Sequence, residues 1–214
     1  MTSAENLRQK AEPHIRRADA YAAAGDNRSA LTENITAVRL VRRLRKAQPD
    51  DRRHLAVLGS LYYNQALLLE KNGRGIEGIA AARHSVLFYE SLDPTLRGQR
   101  SVSEAVSGTE PLAGDGEPVD AARLVAHLAD ARARLARLLG TYGHTGRERD
   151  RELRRFGLDP HLTLRHEINV LDAAACLTYR ALIACSHYTQ ADFDRVLKQG
   201  GEGLAKYHAR FPGG

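Results

Sequence analysis

At 214 residues the chain is larger than one ordinary domain and smaller than two large ones, so a single elongated body or a domain with an appendage is expected. Apolar residues at 43%, charged residues at 27% and only seven prolines exclude a low-complexity, collagen-like or disulfide-stapled chain, while the lack of Trp and the 6% aromatic content, with Ala and Leu abundant, favour helices over sheets. The net charge of +6, split as +4 up to Leu96 and +2 after it, is a basic bias without a strongly basic domain.

In chain order, the first helix is predicted over 5–24, where Leu7, Ala11, Ile15, Ala18 and Ala22 recur at the period of one buried face and Gly25 brings the stop. The second runs over 27–48, with Leu31, Ile35, Val38 and Val41 on one stripe and Arg39, Arg43 and Lys46 on another, closed by Pro49. The third, 52–72, is apolar nearly all round (Leu55, Leu58, Leu61, Tyr62, Ala66, Leu68, Leu69), the pattern of a helix with neighbours on several sides. A fourth over 75–92 buries Ile79, Ala82, Val86 and Tyr89 before Asp93 and Pro94. Residues 97–118 are polar, rich in Gly and Ser and without helical period, so they are expected to form a flexible loop open to proteolysis.

Beyond the loop, Leu124, Leu128, Ala131, Leu135, Leu138 and Tyr142 mark the most periodic helix, over 119–142. Residues 147–155 alternate in charge and read as a short solvated helix. Asp159 followed by Pro160 is a start signal for a helix that carries Ile168, Leu171, Ala175 and Leu182 to about residue 187. Thr189, Gln190, Ala191 and Asp192 resemble a capping box opening a last helix with Phe193, Val196, Leu204 and Tyr207 inside. The whole is expected to be all-α, with about eight helices.

No motif signals catalysis or a metal site: HExxH, CxxC, GxSxG and P-loop spacings are all lacking. His161 and His166, like Glu167 and Asp172, are five residues apart and splay by roughly 140° on a helix. Cys185 and His187 point about 200° apart, and Cys176 and Cys185 lie on opposite faces, roughly 13.5 Å apart along the axis, too far for a disulfide. A reducing cytoplasm is therefore expected, and no apolar leader or span is seen. The cluster Arg39, Arg42, Arg43, Arg45 and Lys46 has no interleaved aromatics or recognition helix, so nucleic acid is not expected as a partner.

An internal period is visible. Gly25 and Gly73 each end one helix and precede another, and those second helices stop at Pro49 and Pro94, separations of 48 and 45 residues. In residues 61–94, counting from Gly73, small residues fall on Ala66, Gly78, Ala82 and Ser85 and a large one on Tyr62; from Gly25 the matching sites are Ala18, Tyr21, Ala30 and Ala37. This pattern resembles the tetratricopeptide repeat, in the longer variety found in kinesin light chains and many bacterial regulatory proteins. A third repeat anchored on Gly143, with Ala136 in the small site, matches less well, and a fourth has no turn glycine. The organisation expected is two tetratricopeptide-like hairpins over 1–96, the loop 97–118, and divergent helical hairpins over 119–214.

The resemblance implies a right-handed array whose first helices line a concave groove for a peptide. It places Asn64 where the family's first helices often bond the ligand backbone, with Tyr63, Leu67 and Lys71 facing the same way, and Arg134, with Arg137 nearby, in the third repeat. From the residues alone, the Asn64 amide either faces a groove or satisfies a loop carbonyl. Arg134 and Arg137 either clamp a carboxylate or form a solvated face. The function expected is a non-catalytic, cytoplasmic adaptor or regulatory domain that binds a protein or peptide with an acidic segment, needing no cofactor, no metal and no membrane, with self-association left open. The alternatives are a signalling-peptide or small-molecule sensor and a self-assembling helical protein.

Overall fold

The computed structural model describes residues 3–92, 121–143, 151, 154–155, 157, 159–184 and 188–211. Among them the elements are all helical: α1 (Ser3–Ala23), α2 (Asn27–Ala47), α3 (Arg53–Lys71), α4 (Gly75–Leu92), α5 (Ala121–Tyr142), α6 (Pro160–Ala184) and α7 (Gln190–Arg210). Each stands where the periodicity predicts it. The expected loop 97–118, most of the charged segment 147–155 and Cys185 lie outside the described residues. No helix among the described residues is long and apolar enough to cross a membrane. The chain divides into two compact units, Met1–His127 and Leu128–Gly214, with the division inside α5.

In the first unit consecutive helices pack on one another, α1 on α2, α2 on α3 and α3 on α4. Having neighbours on two sides explains why α3 is apolar nearly all round: Leu55, Leu58, Leu61, Tyr62, Ala66, Leu68 and Leu69 are all buried. Full burial of a side chain such as Leu58 stabilises by about 1.5–3 kcal/mol. The two hairpin turns are the same structure. Gly25 has φ 81° and Gly73 φ 74°, a left-handed conformation that costs an L-residue about 1–2 kcal/mol. Around Gly25, Asp26 N donates to Tyr21 O at 2.9 Å and Gly25 N to Ala22 O at 3.2 Å; around Gly73, Arg74 N donates to Leu69 O at 2.8 Å and Gly73 N to Glu70 O at 3.0 Å. These are the paired bonds of a Schellman C-cap, in identical register.

Small residues recur at the same offsets from the two turns. Ala18, Ala30 and Ala37 answer to Ala66, Gly78 and Ser85, and all six are buried, because paired helices touch there and a larger side chain would hold them apart. Side-chain bonds to main-chain carbonyls join the hairpins. Asn34 Nδ2 on α2 donates to Leu61 O on α3 at 3.2 Å. Asn72, just before the second turn, donates to Asn27 O, just after the first, at 2.9 Å. Within the second hairpin Ser85 Oγ donates to Gly59 O at 2.8 Å, and Tyr62 stacks on Phe88 with ring centroids 5.5 Å apart.

The second unit is held differently. Gly143, the expected third turn glycine, is not among the left-handed glycines, and its N–H makes an ordinary helical bond to Leu139 O at 2.8 Å. Ala136 is buried as the repeat pattern requires, but its carbonyl faces Gly203 of α7. There α5 and α7 cross so closely that a Cβ on Gly140 would overlap the Gly203 carbonyl oxygen. Arg210 then caps the end of α5, donating to Gly140 O at 3.1 Å and Gly143 O at 2.6 Å. Asp159 accepts from the N–H groups of His161 (2.7 Å) and Leu162 (3.2 Å) at the start of α6, bonds that hold its carboxyl below the usual range. At the start of α7 the Asp192 carboxylate accepts from both Thr189 N, at 3.0 Å, and Thr189 Oγ1, at 2.7 Å. Tyr207 OH ties α7 to α6 through His161 O at 2.8 Å.

Candidate functional site

The residues singled out by the repeat pattern fall into two sets, one in each unit. In the first, α3 turns Tyr63, Asn64, Leu67 and Lys71 to one side, as spacings of one, four and eight residues on a helix require. Tyr63, Asn64 and Leu67 are half-buried and Lys71 is exposed. Asn64 makes no hydrogen bond to a described residue, so its amide retains donors and an acceptor for something else. Elsewhere in this unit an apolar slot of about 320 Å³, lined by none of these four residues, opens between α1, the end of α2 and the start of α3. Ala11, Ile15, Val41, Leu44 and Val57 form its walls, and Arg8, Glu12, Asp51, Arg53 and His54 its rim.

Asp51 organises that rim. Its carboxylate accepts from Arg53 Nε at 2.9 Å, Arg53 Nη2 at 2.8 Å and Arg53 N at 3.1 Å, capping α3, and these bonds hold its carboxyl below the usual aspartate range. His54, 5% exposed, lies 3.5 Å from Asp51 and 3.2 Å from Gln48 Oε1. Burial pushes its imidazole down and outweighs the upward pull of Asp51, so near neutral pH it sits in its uncharged form.

In the second unit Arg134 and Arg137 both reach one wide basin of about 550 Å³ between α5 and α7, with Ala191, Asp194, Arg195, Lys198, Gln199 and Glu202. Arg134 is 8% exposed, where a solvated helix face would leave it open, and Arg137 is half-buried. Below the basin three helices meet at Asp130, Tyr179 and Arg195. Tyr179 OH donates to Asp130 Oδ1 at 3.0 Å, Arg195 Nη1 to the same oxygen at 2.9 Å, and Arg195 Nη2 to Tyr179 OH at 3.0 Å. Burial, and then the Asp130 charge, push the Tyr179 phenol well above its ordinary value. Burial opposes the Arg195 charge, but Asp130 and Tyr179 outweigh it and hold the guanidinium ionised.

Sequence reasoning picked out Arg134 and Arg137 but missed Asp130, Tyr179, Arg195, Lys198 and Gln199. These come from three helices, Asp130 and Arg195 alone being 65 residues apart, and no local spacing marks them. The slot was missed too, although three of its wall residues, Ala11, Ile15 and Val41, lie on the predicted apolar stripes of α1 and α2. Among the described residues no group of three His, Cys, Asp or Glu side chains lies where it would hold a metal ion. Cys176 is a free thiol 3.9 Å from Asp172, and burial raises the pKa of both groups, which makes the thiol a poor nucleophile. No family model matches the chain, and neither a curated protein nor a solved structure matches it.

Proposed function

We propose that this chain is a non-catalytic, tetratricopeptide-like binding protein that captures a partner peptide, with the α3 face of Tyr63, Asn64, Leu67 and Lys71 as one contact surface and Arg134 and Arg137 as a second. The observation that carries the reading is the duplication in the first unit: two left-handed glycine turns with the same bond pattern, flanked by buried small residues at the same offsets. Helical hairpins of this kind gain stability by stacking, and stacking leaves one helix of each pair with a face turned outward. On α3 that face carries an amide with no hydrogen-bond partner among the described residues, a half-buried tyrosine and leucine, and an exposed lysine, the mixture of apolar anchor and polar bond that a peptide backbone requires.

Affinity capture with the tagged chain from its native source, followed by titration of the purified partner against Asn64→Ala, tests the reading. Loss of a backbone-directed amide bond is expected to weaken binding about tenfold, with thermal unfolding unchanged because the Asn64 side chain bonds to no described residue. Undiminished affinity in Asn64→Ala and in Lys71→Glu together would refute the α3 surface.

A further inference from the structure

Arg39, Arg42, Arg43, Arg45 and Lys46 put five cations into eight residues of α2, with no acidic residue between Glu33 and Asp50. All five are exposed, and none forms an ion pair with a described residue. By contrast, Arg8 and Arg53 pair with Asp51, Arg16 with Glu12, Arg17 with Glu33 and Arg74 with Glu77. The pull of a helix C-terminus on cations accounts for Arg45 and Lys46 in the last turn of α2, but not for the three arginines that precede that turn.

Helical spacing sorts these cations into two groups. Arg39, Arg43 and Lys46 lie within roughly 60° of one another on the outward crest of α2, spread over roughly 10 Å of its axis. Arg42 and Arg45 are turned from Arg39 by roughly 60° and 120°, to the side where α3 and α4 pack. No aromatic residue is interleaved among the cations in sequence, yet tertiary packing delivers three rings to their flank. Arg42 Nη1 lies 3.5 Å from Tyr62 OH, and the Arg45 guanidinium sits over the Phe88 ring, 5.6 Å from its centroid. Phe88 stacks on Tyr62 in turn, and the exposed His84 ring lies with its centroid 4.9 Å from that of Tyr62.

We infer that this face of α2 and α4 binds a single-stranded nucleic acid, its phosphates along Arg39, Arg43 and Lys46 and its bases against Arg45 and His84. The inference goes beyond the peptide-capture reading and shares no residue with it. A strand advances about 3.4 Å per nucleotide even when stacked in a duplex, so the crest meets about two or three successive phosphates. Guanidinium planes and aromatic rings both stack on bases. Arg45 is already held over Phe88, so it loses little freedom on binding, and none of its five N–H donors is taken by a described residue. Other polyanions fit less well. An acidic peptide would satisfy the crest but has no planar group for the rings beside it, and a duplex keeps its bases stacked away from them. A bilayer takes up apolar side chains beside the cations, whereas Thr32, Thr36, Arg39, Arg43 and Lys46 make the crest polar along its length.

The test titrates the full chain into fluorescently labelled dodecathymidylate, read by anisotropy. Its rivals are an abasic strand of equal length, the matching duplex, an oligoglutamate of equal charge, and equimolar phosphatidylcholine–phosphatidylserine vesicles. Saturable thymidylate binding is expected, with log affinity falling against log salt at a slope of about −2, and with the abasic strand held about tenfold or more weaker. Arg39→Gln, Arg43→Gln and Lys46→Gln combined, all at exposed helix positions, should flatten the salt slope and weaken thymidylate binding about tenfold or more without lowering the unfolding temperature. Arg45→Lys keeps the charge but not the plane, so it should leave the slope in place and narrow the gap between thymidylate and the abasic strand. No saturable thymidylate binding, an unchanged slope in the triple variant, equal affinity for the abasic strand, or tighter binding of the duplex, the oligoglutamate or the vesicles would overturn the inference. Asn64→Ala should leave thymidylate binding unaltered, so failure of this face and failure of the peptide surface are told apart.

Discussion

The first unit is held together by a device used twice, and the second by devices used once. In Met1–His127 the same Schellman turn, the same buried small sites and the same kind of asparagine-to-carbonyl bond recur along the chain. Among the described residues of Leu128–Gly214, a glycine crossing, an arginine that caps a neighbouring helix and a three-residue polar cluster each occur at one place. Repetition makes a position recognisable by its offset from another. A single crossing has no such partner and is visible only once the helices have been brought together.

The contrast can be broken most sharply at Gly203. A valine there would drive its Cβ and methyl groups into the α5 backbone, since even a Cβ would sit 2.9 Å from Ala136 O and from Arg137 Cα. Main chain cannot swing aside as a long side chain can, so a loss of about 3 kcal/mol or more is expected. Urea unfolding and amide exchange in α5 and α7 would measure it. Near-parental stability would mean that the crossing is looser than described.

Next in size are Gly25→Ala and Gly73→Ala. Nothing lies within 4 Å of a Cβ at either site, so the cost is conformational alone, about 1–2 kcal/mol at each. The sharper expectation is equality: matched turns should lose matched stability by chemical denaturation, and a twofold disparity would show that the two hairpins are not equivalent.

The smallest effect is in pH. Arg53 holds the Asp51 carboxyl below the usual range, so its contribution is present above the ordinary aspartate pKa and is lost as pH falls through the lowered folded value. Asp172 runs the other way. Burial raises its carboxyl, so no penalty exists below the ordinary aspartate pKa, and one grows as pH rises through the raised folded value. Asp172→Asn should therefore gain stability relative to the parent as pH is raised from 3 to 7, while Asp51→Asn should lose it over the same interval. Parallel pH profiles for the two variants would contradict the opposite environments described.

Much of the fold was legible because helix periodicity and stop signals are local. Of the stripe Leu31, Ile35, Val38 and Val41, all but the half-buried Ile35 are buried, and Thr189 with Asp192 opens α7 as read. Gly143 misled for an instructive reason: a glycine after a periodic helix looks like a turn residue, but this one is buried where Arg210 reaches the helix end. Asn34, 1% exposed, also escaped notice, since a polar residue within a helix gives no sign of the distant carbonyl it will meet. Of the candidate site, the sequence alone pointed to the α3 face and to two arginines of the basin, and to none of the side chains that order Arg195.

Helix identity, helix ends and the duplicated hairpin were determined by the sequence alone, because they depend on spacings of three, four or a constant number of residues and on glycines that tolerate a left-handed turn. The basin, the polar cluster beneath it and the α5–α7 crossing were decided only by tertiary structure. Each depends on side chains or backbone from separate helices reaching hydrogen-bonding or van der Waals distance, and no short-range pattern in a chain encodes which helices will meet.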